Sequence, residues 1–159
     1  MLEQQRREVR SLLDRLPSRA LSRRGLGGGE WSPVDLIGHL ESWEEHALRA
    51  IDAWSHGSVA PINRELRRIG VNSVNAAEVE RKAGRSAAAA SASAAATFER
   101  LLFTIGAISD DRWEAPPTAR SRRTLGERVG SILGGPDGGF THDQAHLPSL
   151  REFVERFGR

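Results

Sequence analysis

The chain of 159 residues contains no cysteine and no tyrosine, one methionine, and a single lysine, Lys82. Without cysteine there is no disulfide framework, no thiolate metal site and no cysteine nucleophile. No apolar run approaches the roughly 18 residues that a membrane-spanning helix needs. The opening MLEQQRREVR lacks the apolar stretch of a secretory signal. A cytoplasmic location and no membrane partner are therefore expected. Alternation of apolar and polar residues over strand lengths is also missing, which points away from sheets and toward an all-α fold. The scarcity of lysine and tyrosine explains the sequence pI of about 10.2. Basic residues exceed acidic ones by only 23 to 21. With almost nothing titrating between about pH 8 and 12, a slight excess of arginine lifts the isoelectric point far up. The high pI does not argue for a nucleic-acid partner. The densest basic cluster, Arg120-Ser121-Arg122-Arg123, lies in a proline-bounded loop and has no aromatic residues between its arginines.

What is present is ordinary for one globular domain spanning residues 1–159, with 38% hydrophobic and 28% charged residues. Val9, Leu12, Leu13 and Leu16 recur at helical spacing, so residues 2–16 read as an amphipathic helix with a charged outer face. Pro17 and the glycine-rich stretch 25–29 end it. Ser32, Pro33 and Asp35 carry the signals of a helix start. The second helix then runs about six turns to Trp54. Residues 56–75 read as a long connection, with a turn of helix at 63–69, able to span the length of a helix. A third helix is expected from Asn75 to Ile108, through an alanine and serine block at 87–96. That smooth face is expected to lie close to a neighbouring helix or to line a cavity. A short helix at 125–133, a glycine-rich break at 134–139 and a last helix at 141–157 complete the chain. The arrangement is all-α, with four main helices and at least one long crossover.

Three histidines invite chemistry. His142 and His146 are four residues apart, so both imidazoles leave one face of the last helix. This spacing suits two nitrogen ligands of one metal ion, and equally a polar pair on a solvated face. His39 sits near the core side of the second helix, as a ligand or as a hydrogen-bonded structural histidine. Three histidines from two packed helices suit a divalent ion with an open position. His46 follows the polar pair Glu44-Glu45 and is a reserve ligand. Asp35, four residues before His39, either orients that imidazole or caps the helix. Trp43 either walls a pocket or packs in the core, and Asn63 either reaches a substrate or caps a turn. Trp31, Trp54 and Trp113 read as packing anchors. No residue stands out as a general base: Glu41 and Asp143 point away from the histidines and suit salt bridges.

The stretch Trp31-Ser32-Pro33-Val34-Asp35-Leu36-Ile37-Gly38-His39-Leu40-Glu41-Ser42-Trp43-Glu44 resembles the second-helix motif of the DinB-like superfamily. Thr141-His142-Asp143-Gln144-Ala145-His146-Leu147 is similar to that family's last-helix motif. Ile62-Asn63, with the helix ending Ile108-Ser109-Asp110-Asp111-Arg112-Trp113, looks like the DfsB/ClbS-type branch. The resemblance covers nearly the whole chain. It implies a four-helix bundle in up-down-down-up order, with the crossover between helices two and three. It further implies one divalent metal, nickel or zinc, held by His39, His142 and His146, and a homodimer. The implied function is metal-dependent action on a small electrophilic substrate, by transfer of a low-molecular-weight thiol or by hydrolytic detoxification, in a stress response. A non-catalytic protein that sequesters a small molecule is the alternative. Two features depart from the pattern: the glycine-rich break lies directly before the ligand helix, and Pro148 removes a backbone donor and should kink it.

Overall fold

Proline and glycine punctuation, rather than hydrophobic periodicity alone, sets where the helices of this chain begin and end. The computed structural model describes residues 1–134 and 138–158. Among these it is all-helical, with eight helices and no strand: α1 (Leu2–Leu13), α2 (Ser18–Leu21), α3 (Pro33–Ser55), α4 (Pro61–Arg81), α5 (Ala87–Gly106), α6 (Asp110–Glu114), α7 (Leu125–Ile132) and α8 (His142–Phe157).

The central element is α3. Ser32 and Asp35 form a reciprocal capping box, and Pro33 occupies the first turn, where its missing N–H costs nothing. Ahead of it, Leu26 N–H and Gly25 N–H both donate to the Trp31 carbonyl, at 2.9 and 3.0 Å. The tight loop this closes needs positive φ at Gly27, Gly28 and Gly29. It delivers Trp31 to the mouth of α3. On its other sides α3 packs against α4, α5, α7 and α8, while α1 packs on α8.

Several boundaries differ from those the sequence suggested. The first helix stops at Leu13, and Pro17 caps the short α2 instead of leading into open loop. Its face is less solvated than its charges imply, because Gln5 and Arg6 are buried. The connection 56–75 is mostly helical: α4 starts on Pro61 and continues to Arg81, broken at Gly70 (φ 76, ψ 163). A side chain at Gly70 would be strained in that conformation, so glycine is what permits the break. The expected helix from Asn75 to Ile108 is two helices. Lys82 caps α4, Gly84 turns the chain at φ 77, and the Ser86 hydroxyl accepts from Ala89 N–H to start α5. The last helix, α8, continues through Pro148. Of the glycine-rich break 134–139, residues 135–137 lie outside the described residues.

Two large apolar clusters form the core. One gathers Trp43, Ala47, Ala50 and Trp54 of α3 with Ile62, Leu101, Leu125, Val129 and Ile132. The other joins Val9, Leu12, Leu36, Leu40, Leu147, Leu150 and Phe153. The alanine block resolves as close packing: Ala90 and Ala94 are buried against Ile37. Small side chains let α5 approach α3 there, and the histidine pocket described below takes no wall from this block.

Candidate metal centre and its pocket

His39, on the second turn of α3, is 3% exposed, and His142 and His146 open α8 one turn apart. The α8 start is pinned by His142 N–H, which donates to the Leu133 carbonyl at the end of α7 (3.1 Å). This brings three imidazoles from sequence positions about a hundred residues apart to one point. His142 Nε2 lies 2.9 Å from His39 Nε2 and 3.4 Å from His146 Nε2. One nitrogen from each of the three falls within 4.8 Å of the others, so the cluster can hold a metal ion.

The donor set fits such an ion. With metal–nitrogen bonds of about 2.1 Å, two histidine nitrogens stand about 3.0 Å apart at right angles and about 3.4 Å apart at the tetrahedral angle. The His39–His142 and His142–His146 separations of 2.9 and 3.4 Å lie close to these values. Neutral imidazole is required of a ligand, and the surroundings enforce it. Burial, then the proximity of His142 and His146, holds the His39 imidazole well below the ordinary histidine value. Burial, then the proximity of His146, lowers His142 to about 4 against the opposing pull of Asp143, and burial lowers His146. His39 Nδ1 is buried with no hydrogen-bond partner among the described residues.

Asp35 does not orient His39. Its carboxylate accepts from the Ser32 backbone N–H (2.8 Å) and hydroxyl (2.7 Å), so capping is the role it fills. His46 is no reserve ligand either. It is buried about two turns further along α3, outside the cluster, where Arg49 meets its Nδ1 at 2.9 Å and Glu78 lies 3.2 Å from its Nε2. His56 is exposed.

Glu41 and Asp143 take the salt-bridge role expected of them. Glu41 accepts from Lys82 (2.6 Å), Arg85 (2.8 Å) and the Ser93 hydroxyl. Asp143 accepts from Arg6 Nε at 2.7 Å. The same guanidinium bonds Glu44, which is 3% exposed and not on a polar face as its neighbours suggested. Burial pushes the Glu44 carboxyl up to about 7, only partly offset by Arg6.

The histidines form the floor of a cavity of about 580 Å³, within the size range of small-molecule sites. Trp43 and Asn63 both line it. The Trp43 indole N–H donates to Asn75 Oδ1 at 3.0 Å, which also brings Asn75 to the wall. Sequence reasoning missed Trp31, whose ring sits 4.7 Å from that of His39 and 6.3 Å from that of His146. It also missed Asn75 and Arg128. Trp54 and Trp113 are packing residues, Trp54 in the core and Trp113 stacked on Phe140 at 6.2 Å. The cluster Arg120, Arg122 and Arg123 is exposed and away from the cavity.

An all-helical chain with three histidines converging under an open pocket defines a class of candidate metal-binding helical proteins. The model of the DinB superfamily matches residues 1–134, and the chain belongs to that superfamily. The match takes in His39 and its motif but ends before His142 and His146. No curated protein and no solved structure shows significant similarity to the chain.

Proposed function

We propose that the protein is a divalent-metal-dependent enzyme that acts on a small electrophile, by transfer of a low-molecular-weight thiol or by hydrolysis, and so serves detoxification. The observation that carries this reading is the convergence of three neutral imidazole nitrogens on the floor of a pocket with room for a substrate. His39, His142 and His146 are the ligands, and nickel or zinc suits an all-imidazole donor set. When bound, such an ion lowers the pKa of a coordinated water or thiol and supplies a nucleophile near neutral pH. The protein's own part is to keep the imidazoles unprotonated, to hold their spacing through the packing of α8 on α3, and to shield them under Trp31 and Trp43.

The finer architecture in this reading is a single-domain four-helix bundle of α1, α3, α5 and α8 in up-down-down-up order, with α4 in the crossover. Packing of α1 on α8 and of α3 on α5 supports it. A homodimer and a cytoplasmic location belong to the same reading. An exposed Phe103 on α5 favours the first. For the second, no helix among the described residues is long and apolar enough to cross a membrane.

One observation favours the alternative of a sequestering protein: no carboxylate among the described residues lines the pocket, so none of them is an evident general base. Elemental analysis of untagged protein, beside a His142→Ala/His146→Ala variant, tests the metal. About one equivalent of metal in the parent, abolished in the variant, is the expected result. A parent that stays metal-free after incubation with nickel and zinc overturns it. Turnover of an electrophile that stops on chelation then separates enzyme from sequestering protein.

A further inference from the structure

The walls of the pocket above the histidines carry one cation and two carboxamides among the described residues. Neither an aspartate nor a glutamate among these residues lines it, and Arg128 on α7 is the permanently charged one in its wall. The other arginines and the lysine buried near α3 are all neutralised: Arg6 by Glu44 and Asp143, Lys82 and Arg85 by Glu41. Arg128 has no carboxylate partner among the described residues. Its guanidinium stands 5.8 Å from the centre of the Trp54 ring, a contact that leaves the edge of the fork free to donate. Asn75 adds a second donor. Because the Trp43 indole N–H must meet an acceptor, the Asn75 amide is held with Oδ1 toward Trp43 and its NH₂ turned the other way. Asn63, on the first half of α4, has no side-chain hydrogen bond among the described residues and faces the same space. The rest of the wall is mostly apolar, from Trp31, Leu66, Val71 and Ile132, with the Ser131 hydroxyl as a further polar group.

We propose that this pocket selects a small molecule with an apolar body and a carboxylate, the carboxylate received by Arg128 with Asn75 and Asn63 beside it. The inference deepens the substrate-site reading above and rests on it. A guanidinium matches a carboxylate by two parallel N–H···O bonds, and the carboxamide donors complete the acceptor's remaining lone pairs. The apolar body lies against the two tryptophans, which leaves the reacting end of the molecule over the histidines.

The test compares phenylacetate, 3-phenylpropionate and 4-phenylbutyrate with their primary amides, so that span and charge are separated. Binding is read by tryptophan fluorescence quenching and by ligand-observed NMR. It is measured on the full chain as purified and after chelation, with folding checked by circular dichroism. For at least one chain length the acid should bind at least about fivefold tighter than its amide, the scale of a partly exposed charge-assisted hydrogen bond. Arg128→Gln should abolish that preference in chelated protein while amide binding persists, and Arg120→Gln, outside the pocket, should keep it. Asn75→Asp retains an acceptor for Trp43 and adds a negative charge, so it should reverse the preference even if Arg128→Gln folds poorly. Equal binding of acid and amide by the parent, or a preference that survives Arg128→Gln in chelated protein, overturns the inference. Elemental analysis of the same samples shows whether the metal reading fails separately. An acid preference in a chain that never takes up metal would leave the anion site standing and remove the metal.

Discussion

His39 and Glu41 lie two residues apart on α3, both almost fully buried, and their surroundings are opposite. Glu41 is met by a lysine, an arginine and a serine hydroxyl, so each of its oxygens is satisfied. His39 has one nitrogen without a partner and the other turned toward the His142 nitrogen, which in turn meets that of His146. Burying a charge with full pairing joins α3 to α5 and to the segment after α4. Burying imidazoles without it leaves a donor set open to a ligand. The difference separates a polar group that holds the fold from one that serves a site.

Removing the paired side should hurt stability most. Glu41→Ala leaves Lys82 and Arg85 without that carboxylate, and a loss of about 3 kcal/mol is expected by denaturant unfolding, with metal content per folded molecule unchanged. A variant that instead keeps its stability and loses metal would erase the contrast.

Acidification probes the unpaired side. The three histidines have pKa values lowered on folding, His142 to about 4. The unfolded chain takes up protons below about pH 6.5, where the folded site refuses them. Their contribution to the stability of chelated protein is thus full above about 6.5 and declines as pH falls toward 4. In the His142→Ala/His146→Ala variant the decline should be shallower. Glu44, raised to about 7, runs the other way: its contribution is full below about 4.5 and is lost as pH rises through 7. Urea midpoints across pH 4–8 for the parent and Glu44→Gln separate the two.

A smaller effect sits where the two kinds of polar group meet. Asp143 is paired to Arg6 and adjoins His142. Asp143→Asn should weaken metal affinity roughly tenfold in competition with a chelator dye, by loosening the start of α8. Smallest of all, Ser32→Ala removes half of the capping box and should lower stability by about 1 kcal/mol, with metal affinity intact. A larger loss of metal than of stability in that variant would mean that the cap positions His39 after all.

The histidines were legible in the sequence because helical spacing fixes which of them share a face, and because the stretch around His39 resembles a known motif. The cap at Ser32 and Asp35 was legible for a similar local reason. Arg6 and Glu44 were not. Each looks like a surface charge until a partner 38 residues away in sequence is brought to it by packing. Trp31 was read as an anchor, since nothing local tells that the glycine loop behind it turns its ring onto His39. The division of the long third helix at residues 82–86 was hidden by the high helix propensity on both sides. Asn75 and Arg128 carry no local signal, and their place in the wall depends on how α4 and α7 pack.

The break at Gly70 has a consequence for fluctuation. Where the ladder of backbone hydrogen bonds is interrupted, the segments on either side can open separately, each at its own local free energy. Residues 61–69 and 71–81 should accordingly show distinct amide exchange rates. Asn63 and Leu66 belong to the first segment, Val71 and Asn75 to the second. The pocket thus has a wall of two leaves, and a guest can be admitted by loosening one while the other stays in place.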